Sequence, residues 1–311
     1  MMMKVVLQEE SLWEGLQTEE RLLGLAEKLE VVRLLVAAGV RRLQLGGFAN
    51  PRSVPQAANT DALASLVRQQ YPELLCSALV YNEKGLERAQ LSGLQRVTVF
   101  VPVSDTDSRH FGGRPVDRYL ESATRLISSA VRAGVSVQAG IRSAFGCMYE
   151  GEIPTAHLVE TAGHLAEAGA TGINLADTAG LAHPRQIRDL VGTFHAAFPD
   201  LELALHLHDT RGLGLVNIYA GYEAGVRVFD VAAGGLGSCI FVKGAPGNVA
   251  TEDAVYLFEG MGVDTGIDVG ALCQAVTTLE TLLERQLSGR ICRSLTASSG
   301  SMTGTPDEPS A

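Results

Sequence analysis

Two imidazoles stand two residues apart in Ala204-Leu205-His206-Leu207-His208-Asp209, at the end of an apolar run and just before the turn-like Asp209-Thr210-Arg211-Gly212. In a β-strand, residues i and i+2 point to the same face. Both rings therefore project side by side from the C-terminal end of a strand, as a divalent-metal site requires. A His-x-His pair alone is a weak signal. A second cluster strengthens it: Gly234-Gly235-Leu236-Gly237-Ser238-Cys239 follows the next predicted strand and runs on to Gly244-Ala245-Pro246-Gly247-Asn248. A thiol and a carboxamide on glycine-rich loops can reach back over the same strand ends. Imidazole with oxygen ligands suits Mg²⁺, Mn²⁺, Zn²⁺ or Co²⁺. Glu14, after strand one, is the candidate carboxylate. Its ordinary alternative is a solvated charge in the acidic loop over residues 9–14.

Other groups invite both a chemical and a structural reading. Free cysteine is most often a buried small hydrophobe, but the glycines around Cys239 favour exposure and a chemical role. Cys147, in Phe145-Gly146-Cys147-Met148-Tyr149-Glu150-Gly151, is read as loop packing. Asp177, in Ala176-Asp177-Thr178-Ala179-Gly180, could cap the next helix or orient a ligand. Trp13 is the only tryptophan; it either covers the site or walls a substrate pocket. No glycine pattern has the strand and helix context of a nucleotide loop.

The elements that must position these groups follow from a repeated phrase. Ala38-Gly39-Val40, Ala133-Gly134-Val135, Ala168-Gly169-Ala170 and Ala224-Gly225-Val226 each precede an apolar run. Each reads as a helix stopped by a left-handed glycine, then a short strand. Such recurrence points to a parallel α/β array. Eight strands are predicted near residues 4–8, 41–47, 75–81, 96–101, 135–140, 171–176, 202–208 and 227–232, with helices between them and two more near 251–261 and 268–287. Eight βα units in about 290 residues fit a (β/α)8 TIM barrel with extra C-terminal helices. An open doubly wound sheet is the alternative. The barrel is preferred because Glu14, Gln44, Asp177, His206, His208 and Cys239 all follow strands, whose ends converge in a barrel. The expected organisation is a catalytic domain over residues 1–290 and a disordered tail over 291–311.

Composition bounds the function. Of 311 residues, 46% are hydrophobic and 19% charged, which describes a well-cored globular chain. A net charge of −10 argues against a nucleic-acid surface. The five cysteines lack the spacing of a disulfide framework or a zinc motif, so a reducing cytoplasm is expected. The acidic Glu9-Glu10 close to the start argues against a signal peptide, and no apolar run is long enough to suggest a membrane span.

At this point the chain resembles a known family: hydroxymethylglutaryl-CoA lyase and the wider group of metal-dependent barrel enzymes that make or break C–C bonds beside a carboxylate. The resemblance runs over about residues 4–290. It rests on Glu14-Gly15-Leu16-Gln17, Phe48-Ala49-Asn50-Pro51, the Phe145–Gly151 segment, Asp177-Thr178, His206-Leu207-His208-Asp209-Thr210, and Gly235–Cys239 through Gly247–Asp253. It implies that Glu14, His206, His208 and Asn248 bind a divalent metal, foremost Mg²⁺ or Mn²⁺. It also implies that Cys239 is a loop thiol for acid/base chemistry and that Asp177 lies near substrate.

Departures from the family pattern bear on substrate. The family reads Arg-Asp in the first loop; here Trp13-Glu14 stand there, and Gln44 replaces a glutamate of strand two. The pocket is thus expected to have lost one ion of each sign, with Arg142 as a possible replacement cation and Trp13, Gln17 and Gln44 facing substrate. The resemblance implies a retro-aldol or retro-Claisen lyase on a 3-hydroxyacyl-CoA or related hydroxy acid. An aldolase or condensing synthase, or a non-catalytic binding barrel, are the alternatives. A small-molecule substrate and a homodimer are expected, with no nucleic acid and no membrane.

Overall fold

A computed structural model describes residues 4–239, 241–242 and 244–301. Eight parallel strands close into a barrel in sequence order: β1 (Val6–Glu9), β2 (Arg42–Gly47), β3 (Leu75–Leu79), β4 (Arg96–Pro102), β5 (Ser136–Arg142), β6 (Gly172–Ala176), β7 (Glu202–His206) and β8 (Val228–Val231). Around them run α1 (Leu25–Ala37), α2 (Thr60–Gln70), α3 (Glu83–Leu91), α4 (Asp105–Gly112), α5 (Val116–Arg132), α6 (Thr155–Glu167), α7 (Pro184–Ala197) and α8 (Gly214–Glu223). Then come α9 (Thr251–Gly260), α10 (Val269–Leu283) and α11 (Ile291–Ser301). The TIM barrel with additional C-terminal helices is the observed fold. No helix of the described residues is long and apolar enough to cross a membrane.

The repeated phrase has the geometry its composition implies. Gly39, Gly134, Gly169 and Gly225 all have positive φ, at 104°, 76°, 102° and 107°. Each ends a helix and hands the chain to a buried strand. The apolar core lies between strands and helices, with Leu43, Leu45, Val97 and Ile173 on the outer barrel face. The barrel interior is polar. Gln8, Gln44, Gln138, Asn174 and Asp230, from five strands, are all buried. At the N-terminal end, Arg42 and Arg96 share Glu202 at 2.6 and 2.9 Å.

Three expectations are corrected. Cys273 and Cys292 form a disulfide between α10 and α11; their separation of 19 residues gave no sign of it, because helix packing brings them together. The expected tail is helical from Ile291 to Ser301; the remainder, residues 302–311, lies outside the described residues. The helix α4, between strand four and helix five, was not anticipated. It begins where the Ser104 side chain accepts the Asp107 N–H, a local cap that a predominantly polar segment can conceal.

Helix α9 carries a buried acid at its first turn. Glu252 Oε2 accepts the Gly234 N–H at 2.9 Å. Burial raises its pKa from an ordinary 4.5 to about 7. The folded state therefore prefers the protonated acid. Its contribution to stability is complete below the ordinary value and is lost as pH rises through about 7. Glu252→Gln keeps an acceptor and removes the titration. Urea unfolding of wild type and variant at pH 5 and pH 7.5 should show the variant losing less stability over that interval, by on the order of 2–3 kcal/mol. Identical losses would refute the assignment.

Candidate active site

The C-terminal strand ends converge on a cavity of about 120 Å³. His206 ends β7 and His208 follows it, and their Nε2 atoms lie 3.2 Å apart. On its other side, His206 Nδ1 lies 3.2 Å from Asp230 Oδ2, which also accepts the Asn174 Nδ2–H at 2.7 Å. A proton on Nδ1 donated to Asp230 leaves the Nε2 lone pair facing His208, the arrangement in which a second group orients a metal-binding imidazole. Burial pushes His208 down to about 3, so it is neutral across the physiological range. Burial also opposes charge on His206, but its bond to Asp230 and the nearby acids outweigh that cost and hold its pKa above the ordinary value.

Asn248 reaches the histidines through an antiparallel bridge between His208 and Asn248. The Asp209 N–H also donates to Gly247 O at 2.7 Å. The Asn248 amide donates to Leu236 O at 2.8 Å, while its Oδ1 is buried with no hydrogen-bond partner among the described residues. A buried carboxamide oxygen without a partner, on the residue bridged to His208, fits a metal ligand, since an unsatisfied buried acceptor is otherwise costly. Gly237 makes this convergence possible. A Cβ there would sit 2.7 Å from Asn248 Nδ2 and 3.3 Å from the Glu14 carbonyl. Glu14 lies on a π-helical turn, Ser11–Gly15, and lines the same cavity as both histidines. Gln17 also lines it, its Nε2 lying 3.5 Å from Glu14 Oε1. Among the described residues, no three His, Cys, Asp or Glu gather as a metal group by themselves. The candidate donors are two imidazoles, a carboxamide and Glu14, which lines the same cavity as the histidines.

Other sequence-derived candidates occupy different places. Asp177 does not line the cavity. Its two carboxylate oxygens accept the Leu181 and Ala182 N–H groups at 2.8 and 3.1 Å, which fixes its own loop, while the next helix is capped by His183. Cys239, expected to be exposed, is buried at 3%. Its loop is folded down by the Ser238–Pro246 bridge and by a 3.0 Å bond between the Ser238 and Thr18 hydroxyls; Ser238, not Cys239, lines the cavity. Trp13 is 1% exposed and lies under the cavity against Leu79, its indole N–H without an acceptor among the described residues. Arg142, at the end of β5, does line the cavity and pairs with Asp107 of α4 at 3.7 Å.

Gln44 faces the barrel interior. It and Gln8 both donate to Glu10, Gln8 at 2.6 Å. A carboxyl group nonetheless lies beside Gln44, supplied by Glu10 just after β1. Glu9 and Glu10 are both fully buried. Burial raises Glu10 well above the ordinary range, and Asp230 and Glu14 add to the rise. Sequence reasoning missed Glu10 and Asp230. An acid within the apolar run Val228-Phe229-Asp230-Val231 was the available sign.

The HMGL-like family model matches residues 4–279. The chain is 38% identical over 283 residues to the (R)-citramalyl-CoA lyase of Chloroflexus aurantiacus, covering 88% of this chain and 89% of that one. It superposes on the Bacillus subtilis HMG-CoA lyase with a TM-score of 0.90 at 30% identity, over 94% of this chain and 98% of that one. An Acinetobacter baumannii HMG-CoA lyase in complex with coenzyme A and 3-methylmalate gives 0.86 at 29% identity, over 99% and 97%. A barrel of this topology, with its histidine pair, asparagine and glycine-rich loop in order along nearly the whole shared length, belongs to the HMGL-like family.

Proposed function

We propose that this protein is a divalent-metal-dependent lyase that cleaves a C–C bond in a 3-hydroxyacyl-CoA carrying a free carboxylate, and that hydroxymethylglutaryl-CoA is a poor substrate for it. The observations that carry the reading are the pair of Nε2 atoms 3.2 Å apart and the buried Asn248 oxygen, unpartnered among the described residues, on the segment bridged to His208. The lyase names of its relatives support the reaction class, and the coenzyme A in one of those structures supports a thioester.

His206, His208, Asn248 and Glu14 would hold the ion. When bound, a divalent ion of the Mg²⁺ or Mn²⁺ class acidifies a chelated hydroxyl and polarises a neighbouring oxygen. The residues supply the rest. Asp230 fixes the His206 ring, and Arg142 faces the cavity where anionic charge must be answered. As the hydroxyl loses its proton to a base, the carbinol carbon becomes a carbonyl and the C–C electron pair passes to the α-carbon of the thioester. That enolate takes a proton from Cys239, and the thiolate regains one from solvent. Cys239 has to enter the cavity for this step, so its side chain must leave its buried position when substrate binds. Trp13 cannot replace an arginine at the developing oxyanion. Losing one such donor costs about a hundredfold to a thousandfold in rate, which is why hydroxymethylglutaryl-CoA is disfavoured.

Calorimetric titration of Mn²⁺ into wild type should show one site, and His206→Ala/His208→Ala should lose it; unchanged stoichiometry and affinity would remove the metal centre. Steady-state turnover of hydroxymethylglutaryl-CoA should fall far below the roughly 10 per second of a typical enzyme, and turnover at that level would refute the substrate assignment. Iodoacetamide should label Cys239 in the resting protein as slowly as buried Cys76. Saturating substrate should accelerate that labelling, and Cys239→Ser should lower turnover while leaving Mn²⁺ affinity intact. Fast labelling at rest would contradict the folded-down loop.

A further inference from the structure

The cavity lining is of two chemical kinds: the histidines and Arg142 are polar, while Phe100 of β4 and Leu79 of β3, with the rings of Tyr81 and Tyr119, give it an apolar part. Arg142 is the one permanently charged cation among the described residues that line it. The apolar side is built by close aromatic–glycine packing. Phe100 pairs in register with Gly140 of β5, and a Cβ on Gly140 would lie 2.2 to 2.7 Å from three atoms of the Phe100 ring. The ring therefore lies across the Gly140 backbone, a position that any other residue would deny it. Beneath, Trp13 lies against Gly47 in the same way, with contacts of 2.6 to 2.9 Å to a Cβ there. Trp13, Leu79 and Phe100 pack in a small cluster separate from the main core.

We infer that Phe100, seated on Gly140, is a specificity-determining residue. Its wall receives a hydrocarbon substituent larger than methyl on the substrate's reacting end, while Arg142 receives a carboxylate. The inference rests on the lyase reading for its biological substrate but not for its test. With the polar groups of a substrate taken up at His206, His208 and Arg142, its hydrocarbon part meets the remaining lining, Phe100 and Leu79 with the two tyrosines. Burying one methylene in such a site tightens binding roughly threefold to fourfold.

The lone tryptophan of the chain lies under this wall, so its emission reports occupancy without any chemistry. The full chain, with Mg²⁺ present, is titrated with acetate, butanoate and hexanoate, and with hexanamide as the neutral control. Affinity should rise about threefold per methylene, and hexanamide should bind at least roughly tenfold more weakly than hexanoate, as expected when a charge-assisted bond is lost. Arg142→Gln should remove the preference for hexanoate over hexanamide. Phe100→Ala should flatten the dependence on chain length. Gly140→Ala, which must expel the ring, should do the same, with its melting temperature measured as a folding control. Acetate binding as tightly as hexanoate, or an unchanged length dependence in Phe100→Ala, would overturn the inference. Graded binding in a protein that cleaves no 3-hydroxyacyl thioester would instead overturn the lyase reading and leave the wall standing.

Discussion

The molecule depends on the closure of its last strand onto its first. Strands β1 and β8 pair from Val6–Val228 to Glu9–Val231, and the seam is then extended by one carboxylate. Glu9 accepts hydrogen bonds from the Ser11 N–H, the Ala233 N–H and the Thr251 hydroxyl at 3.0, 3.0 and 2.6 Å. One side chain thus ties the first loop, the turn after β8 and the start of α9. Parallel strands at a barrel seam have no hairpin to set their register, so this buried acid supplies a specific contact that apolar packing would not. It also determines where Glu14 sits, because the π-helical turn begins two residues later.

Around that seam the mouth of the barrel gathers buried acids and gives each a donor. Glu10 is held by two carboxamides, Gln8 and Gln44. Asp230 is held by Asn174 and His206. Removing such acids from water is expensive unless they are hydrogen-bonded or protonated. Glutamine at position 44, beside glutamate at position 10, meets that requirement: a donor amide faces the acid, whereas two carboxylates in contact would repel. The exchange on β2 and the acid on β1 are one arrangement rather than two independent departures.

The loops above the mouth are fastened from the far end of the chain. The Gly289 N–H donates to Gly234 O at 2.8 Å. Arg290 spans Asp209 and Asp253, each at 3.4 Å, and Asp253 accepts both N–H groups that begin α11 at 2.9 Å. The disulfide between Cys273 and Cys292 encloses this connection. The segment after α10 is therefore part of the scaffold behind the thiol loop, which explains why it is ordered despite its polar composition.

Periodicity and spacing in the chain itself determined the eight βα units, because each unit is encoded locally by a helical pattern and an apolar strand, and several by a glycine that ends the helix. The same local logic determined that His206 and His208 point the same way and that Glu14, Gln17, Arg142 and Asn248 follow strands whose ends meet. Tertiary structure alone decided which of these line the cavity. Trp13 sank beneath it because Gly47 leaves room for the ring. Asp177 turned to its own loop, where two free N–H groups were nearer than any ligand. Cys239 was buried by a bridge between residues eight apart, Ser238 and Pro246. The acid at Glu10, the Asp230 partner of His206 and the Phe100–Gly140 wall all join residues distant in the chain. Local pattern specifies a strand and its facing side, but only closure of the barrel decides which facing side chains meet.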